Sequence, residues 1–211
     1  MESLLHMKYT GPKFKLARRE GINLFGVPKY DVKKRRGVPG QHGANMPRLS
    51  EYGKMLRNKQ VLKRMYFMSE KQFRKLVSSV ALKYAKNKGT DHDKAVMQFL
   101  ERRMDSVILR SGLAKTIMQA RQMVSHGHFS LNGQKHNVPS YYVEAGDIIK
   151  VRDKVAGGAL YQSAFDSADS KLAWLKVNKG DKSVEVLDLP DVSELHLPAD
   201  VLKVIEFYAR A

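Results

Sequence analysis

The 211-residue chain contains no cysteine. Disulfides, thiolate zinc sites and cysteine nucleophiles are thereby excluded, and histidine and carboxylates are the only candidate metal ligands. Long apolar runs are missing too: none approaches the roughly 20 residues that span a bilayer, so no membrane partner is expected. The first residues, MESLLHMKYTGPKFK, have a short apolar patch followed, not preceded, by basic residues, unlike a secretory signal. Both observations predict a cytosolic chain, or one from an organelle that makes its own proteins. Acidic residues are the third scarcity, with 21 Asp and Glu against 38 Lys and Arg, a formal net charge of +17. Residues 1–100 hold 23 basic and 7 acidic side chains, residues 101–155 hold 9 and 5, and residues 156–211 hold 6 and 9. Charge of one sign on this scale repels itself in a compact chain and points to a polyanionic partner. Nucleic acid is therefore expected against the front half, and protein against the acidic rear.

The charge is mounted on recognisable elements. Residues 8–49, including YTGPKFKLARREG and VKKRRGVPGQHGANMPRLS, are rich in Gly, Pro, Lys and Arg with little periodicity. Such an arm is expected to hold little regular structure and to order when phosphates neutralise it. Its Tyr9, Phe14, Leu16, Leu24 and Phe25 predict that it nevertheless packs against something. From Ser50 the pattern is helical: SEYGKMLRNKQVLKRMYF starts at a cap and places Met55, Leu62 and Met65 near one face. Ser69 with Gln72 forms a capping box, Phe73, Leu76, Val77 and Val80 a stripe, and Asn87 with Gly89 an end. Acids within helical reach of the Lys and Arg here are scarce, so these basic faces are read as RNA-facing.

Residues 100–153 form a denser block. Leu100, Met104, Val107 and Ile108 predict one helix, with Arg103, Ser106 and Arg110 on another face and Ser111-Gly112 as its end. Thr116 and Gln119 make a second capping box; Ile117, Ala120 and Val124 point inward, and Gln119, Gln122 and His126 outward, with Arg121 and Ser125 alongside. Asn132-Gly133 predicts a hairpin, and AGDIIKV another strand. The pair His126 and His128 raises a metal or acid–base site. Gly127 between them is explained as a left-handed helix end, and no third ligand stands nearby, so no metal, cofactor or catalytic residue is expected. Beyond, AGGALYQSAFDSADS at 156–170 reads as a flexible connection, AWLKV and SVEVLDLP as strands, and PADVLKVIEFYARA as a helix, with Trp174, Leu175 and Phe207 in the core.

The run ERRMDSVILRSGLAKTIMQARQMVSHGHFSLNGQKHNVPSYYVEAGDIIKV resembles an RNA-binding module shared by ribosomal protein four of the small subunit, some pseudouridine synthases, tyrosyl-tRNA synthetases and a heat-shock ribosome factor. Arg103-Met104-Asp105 stands where the pattern has Arg-Leu-Asp. The module leaves the function open among these. The flanks YTGPKFKLARREG, PGQHG, RLSEYGKMLRNKQVLKRMYF with SEKQFRKL, and VIEFYAR resemble the bacterial-type ribosomal protein four family, so the likeness covers all but about residues 160–195. That resemblance implies a non-enzymatic constituent of the small subunit in the cytoplasmic ribosome. It implies primary binding to the 5′ domain of small-subunit RNA, nucleation of assembly of the subunit body, and an influence on decoding accuracy. The implied partners are ribosomal protein five, other small-subunit proteins and messenger RNA on its way into the subunit, with no homo-oligomer. Many relatives carry a zinc-type cysteine set in the arm, whose first pair falls at Phe14 and Ala17 and whose second falls around Tyr30 to Arg36. This chain is a zinc-free version, with Phe14, Leu16 and their neighbours expected to organise the arm.

The expected fold is α+β, mainly α. Residues 1–99 form a helical, arm-bearing domain, 100–160 the module of two helices on short strands, and 161–211 a tail packing back on the first domain. In the arm and the first helices, the expected RNA contacts are Lys13, Lys15, Arg18, Arg19, Lys34, Arg35, Arg36, Gln41, His42, Arg48, Arg57, Lys59, Gln60, Lys63 and Arg64. The module adds Arg102, Arg103, Arg110, Thr116, Arg121, Gln122, Ser125 and His126. Two other classes use such a module: an RNA-modifying enzyme, which needs a separate catalytic domain that does not fit here, and a free-standing RNA chaperone, which does not need the arm.

Overall fold

The computed structural model describes residues 9, 11–32, 37–43, 48–167, 172–191 and 197–210. Within the arm, expected to lack regular structure, lies a two-turn helix, α1 (Lys13–Glu20), entered from Pro12 and ended by Gly21 at φ 72°. A proline in front and a left-handed glycine behind are helix boundaries in their own right. A 3₁₀ turn follows at Pro28–Tyr30. Helix α2 (Glu51–Met65) begins where the Ser50 hydroxyl accepts from the Gly53 N–H, and α3 (Glu70–Lys75) where Ser69 accepts from the Gln72 N–H, as the caps predicted. A π turn over Leu76–Ala81 joins α3 to α4 (Leu82–Lys88), which stops at Gly89, φ 65°.

After α5 (His92–Glu101) the chain breaks, and α6 (Met104–Arg110) starts afresh. The single helix expected through residues 100–110 is interrupted because the backbone at Arg102 and Arg103 pairs elsewhere. Val143 N–H donates to the Arg102 carbonyl, Met104 N–H to the Tyr141 carbonyl, and Arg103 forms a bridge with Tyr142. Thr116 caps α7 (Ile117–Ser125) by accepting from the Gln119 N–H. The hairpin β1 (Phe129–Leu131) and β2 (Gln134–His136) turns on Asn132 and Gly133, both at positive φ, and β3 (Ile148–Val151) pairs with β1. A short α8 (Asp153–Ala156) leads into α9 (Ala159–Ser167), a helix where a flexible connection was expected. Its Tyr161 and Phe165, four residues apart, are both buried against the module.

Strands β4 (Leu175–Asn178) and β5 (Ser183–Val186) complete an antiparallel sheet of order β2-β1-β3-β5-β4. The segment 161–211, expected as one returning tail, therefore divides. Its first part supplies Tyr161, Phe165, Trp174, Leu175, Val184 and Val186 to the same core as Met104, Ile108, Val124, Phe129 and Ile149. Only the last part returns: α10 (Val201–Arg210) lies along α2, and its Val201 and Val204 join Leu62, Tyr66, Phe73, Leu76, Val96 and Leu100 in a second core. The α+β, mainly α class holds, as two helix-rich lobes with one small sheet.

Candidate nucleic-acid interface

The arm is held to α2 by rings and by one buried acid. Phe14 stacks on Tyr30 at 6.4 Å between centroids, Phe25 meets Tyr30 edge-on at 6.1 Å, and Phe25 meets Phe67 at 6.3 Å. Ala17 is fully buried. At the end of α1, the Glu20 carboxylate accepts from Arg57 at 3.0 Å and from Arg64. Burial raises the Glu20 carboxyl, while Arg57, Arg64 and Arg19 pull it down. Arg18 turns inward to donate to the carbonyls of Gly37 (3.1 Å) and Val38 (3.4 Å). Lys15, Arg19, Gln41, His42 and Arg48 are exposed, with Lys13 half-buried. Lys34, Arg35 and Arg36 lie outside the described residues.

On α2 the expected RNA face is largely occupied by the protein itself. Lys59 is buried with its ammonium 4.6 Å from the Phe207 ring and 2.9 Å from a Glu70 oxygen; Lys63 donates to the other Glu70 oxygen at 2.8 Å. Gln60 is half-buried. The acids that pair these cations come from other elements, which is why helical spacing did not reveal them.

The module repeats this pattern. Arg103, 3% exposed, is bidentate on Asp105 at 3.0 Å, so its guanidinium does not reach the surface. Arg102 is buried, donating to the Val143 carbonyl. Arg110 grips Glu101 through two bonds at 2.6 and 2.8 Å, and the Tyr66 hydroxyl donates to the same carboxylate at 2.5 Å. Arg121 crosses between lobes, donating to the carbonyls of Tyr66 and Phe67 and to Asp105. Ser106, placed on an outward face by its spacing, is buried. Exposed on α7 remain Gln122, Ser125 and His126, with Thr116 half-buried as the cap. His126 and His128 lie 6.0 Å apart, and His128 Nδ1 is 2.7 Å from the Tyr161 hydroxyl, so His128 serves the module core. Desolvation lowers the His128 pKa, with His126 adding to the effect. Among the described residues, no cluster of three potential ligands is placed to hold a metal, and no helix is long and apolar enough to cross a membrane.

Other exposed cations were not singled out from the sequence. Lys71, Arg74 and Lys75 are exposed on α3, and Lys83 and Lys86 on α4, without a carboxylate partner among the described residues. Their repeat at three- and four-residue steps is a signal the sequence does carry. Lys115 precedes the α7 cap, and the Lys135 stem passes over Gly127, where a Cβ would meet its Cε at 2.7 Å.

Residues 8–101 match the ribosomal protein S4/S9 N-terminal domain, and residues 102–149 match the S4 domain. The chain is 42% identical to the small ribosomal subunit protein uS4 of Brevibacillus brevis over 204 residues, covering 96% of this chain and 99% of that one. It is 40% identical to the uS4 protein of Sulfurihydrogenibium sp. over 207 residues, 96% and 98% of the two chains, and 38% identical to that of Kosmotoga olearia over 211 residues, 96% and 99%. Two family models in tandem and relatives aligned nearly end to end assign the chain: it belongs to the ribosomal protein uS4 family.

Proposed function

We propose that this chain is a structural, non-enzymatic constituent of the small ribosomal subunit, in a bacterial-type cytoplasmic ribosome, and that it binds the subunit's RNA. The observation that carries the reading is the coincidence of a full-length family match with exposed cations that have no acid partner among the described residues. Phosphates are the groups such cations hold, with hydroxyls and amides such as those of Gln122 and Ser125 fixing position. The proposed contact set is Lys13, Lys15, Arg19, Gln41, His42, Arg48, Gln60, Thr116, Gln122, Ser125 and His126, joined by Lys71, Arg74, Lys75, Lys115 and Lys135. Arg18, Arg57, Lys59, Lys63, Arg64, Arg102, Arg103, Arg110 and Arg121 leave that set, since each is committed to a carboxylate or carbonyl of the protein, while Lys34, Arg35 and Arg36 lie outside the described residues.

In finer terms, the RNA is the 5′ domain, where the two lobes clamp a helix junction and nucleate the subunit body. Ribosomal protein five, other small-subunit proteins and the incoming messenger are the neighbours, and decoding accuracy depends on that placement. The aromatic contacts among Phe14, Tyr30 and Phe25 support an arm organised without zinc; stoichiometric zinc in the purified protein would overturn that part. The deciding experiment is equilibrium binding to a folded 5′-domain transcript, with magnesium and excess tRNA at physiological salt. Binding that survives the tRNA is expected. Binding that the tRNA removes would favour a non-specific RNA chaperone.

A further inference from the structure

The five-stranded sheet has two unlike faces. Side chains alternate along each strand, and the alternation sends Phe129, Ile149, Val151, Val184 and Val186 into the core shared with α6, α7 and α9. The opposite set faces away from that core. In register across the sheet it reads Lys135, Ser130, Lys150, Ser183 and Asn178, one residue from each of β2, β1, β3, β5 and β4. A strand spacing of about 4.8 Å sets the two lysines roughly 10 Å apart, with a hydroxyl or an amide at each remaining place in the row.

Lys135 and Lys150 are exposed, and neither has a carboxylate partner among the described residues. Among the strand residues described, the only acid is Glu185, which lies diagonal to Lys150 in register and is met by Lys176 at 3.8 Å. The Ser130 hydroxyl donates to the Lys150 carbonyl at 3.3 Å, so its oxygen remains an acceptor. The row also continues a surface already described. Gly127, buried at the end of α7, lies under the Lys135 stem, and a Cβ there would meet the Lys135 Cε at 2.7 Å. Lys135 therefore carries positive charge from the sheet to the helix end where Gln122, Ser125 and His126 are exposed. Ile148, exposed opposite Glu185, is what a protein partner would use, but it is one apolar side chain beside a row of five polar ones.

We infer that the open face of the sheet binds RNA backbone: Lys135 and Lys150 hold phosphates of the RNA that meets the end of α7, and Ser130 and Asn178 meet its ribose hydroxyls. The inference rests on the RNA-binding function proposed above and extends it to a face that carries no helix. Ammonium groups act on phosphate as point charges, and hydroxyls and amides fix register without reading a base. The 2′-hydroxyl is a donor as well as an acceptor, which suits the Ser130 oxygen. Contact of this kind is independent of base sequence and strongly dependent on salt.

The test compares the full-length protein with its Lys150→Gln and Lys154→Gln variants in binding to the folded 5′-domain transcript between roughly 50 and 200 mM salt. Lys154 is exposed on α8, outside the sheet, so its loss removes the same net charge. Lys150→Gln is expected to weaken binding about fivefold at about 0.1 M salt and to lower the slope of log affinity against log salt by about 0.7–0.9, the share of one phosphate. Its thermal unfolding is expected to stay unchanged, as are affinity and slope in Lys154→Gln. In parallel, lysines are acylated and read by mass spectrometry: Lys150 is expected to react in the free protein and to be protected in the complex. An unchanged slope with Lys150 still reactive in the complex would overturn the inference and leave the face to a protein partner. Equal losses in the two variants would overturn it too, as an effect of net charge alone. Binding that excess tRNA removes would reject the ribosomal reading, and protection of Lys150 on that tRNA would keep the sheet as an RNA surface.

Discussion

Arg121 joins the two lobes through one guanidinium. It donates to the Tyr66 carbonyl at 3.0 Å, to the Phe67 carbonyl, and to Asp105 at 2.5 and 2.8 Å, and lies 5.5 Å from the Phe67 ring. Phe67 itself sits at φ 50°, a conformation unfavourable for a bulky side chain, so these bonds hold a strained turn in place. Arg121→Ala is expected to destabilise the protein by about 2–4 kcal/mol, read from urea unfolding, because Asp105 and two carbonyls lose a charged donor. Its neighbour Gln122 faces solvent, so Gln122→Ala is expected to change stability by less than about 0.5 kcal/mol and to show its effect in RNA affinity instead. This contrast marks what was legible residue by residue. Sequence spacing placed Gln119, Gln122 and His126 on the outward side of α7 with Ser125 alongside, and of these Gln122, Ser125 and His126 are exposed while Gln119 is half-buried. It was silent on which arginines find an acid, because Glu20 meets Arg57 and Arg64 across 37 and 44 positions of chain. Long-range ion pairs have no period, so a basic residue reads the same whether it faces phosphate or a buried carboxylate.

The elements with local punctuation were the legible ones. Ser50, Ser69 and Thr116 cap helices, Gly89 and Gly127 end them, and Asn132-Gly133 turns the hairpin, each through bonds within a few residues. The break between α5 and α6 was hidden, since its cause lies about 40 residues downstream at Tyr141 to Val143. The π turn was hidden as well. It places the Val77 carbonyl 2.9 Å from His92 Nε2, which donates to it. His92→Ala is expected to cost about 1 kcal/mol and to raise amide exchange across Leu76–Ala81. Helix α10 is held by a second polar set, in which Lys59, Lys63 and Tyr208 all donate to Glu70. Burial by itself raises the Glu70 carboxyl, but these donors outweigh it and hold it at about 2, below the usual 4.5. A carboxyl depressed on folding stabilises above its unfolded value and loses that stabilisation as pH falls from 4.5 towards 2. Glu70→Gln is expected to flatten that stretch of the stability–pH curve, measured as urea midpoints between pH 6 and 3.

Over the whole molecule, charge and connectivity set the behaviour. If some 6 to 10 phosphates are contacted, affinity for the transcript should fall by about three to five decades between roughly 50 and 200 mM salt, and a flat response would contradict the electrostatic reading. The acidic character of the chain's rear was legible in its composition. The division of that rear between two lobes was not, because the pairing of β3 with β5 joins strands about 35 residues apart. The chain leaves the first lobe at Arg102, completes the module with β4 and β5, and then comes back to lay α10 on α2. The oldest part of the protein is thus finished by one of the youngest. During synthesis at roughly 5–20 residues per second, the hundred residues between α5 and α10 occupy about 5–20 seconds. Through that interval Leu62, Phe73 and Leu76 lack the cover of Val201 and Val204, and Lys59 lacks the Phe207 ring. A nascent chain of this design presents its basic arm to RNA before its first core is closed, so premature capture and exposed apolar surface are hazards of the same few seconds.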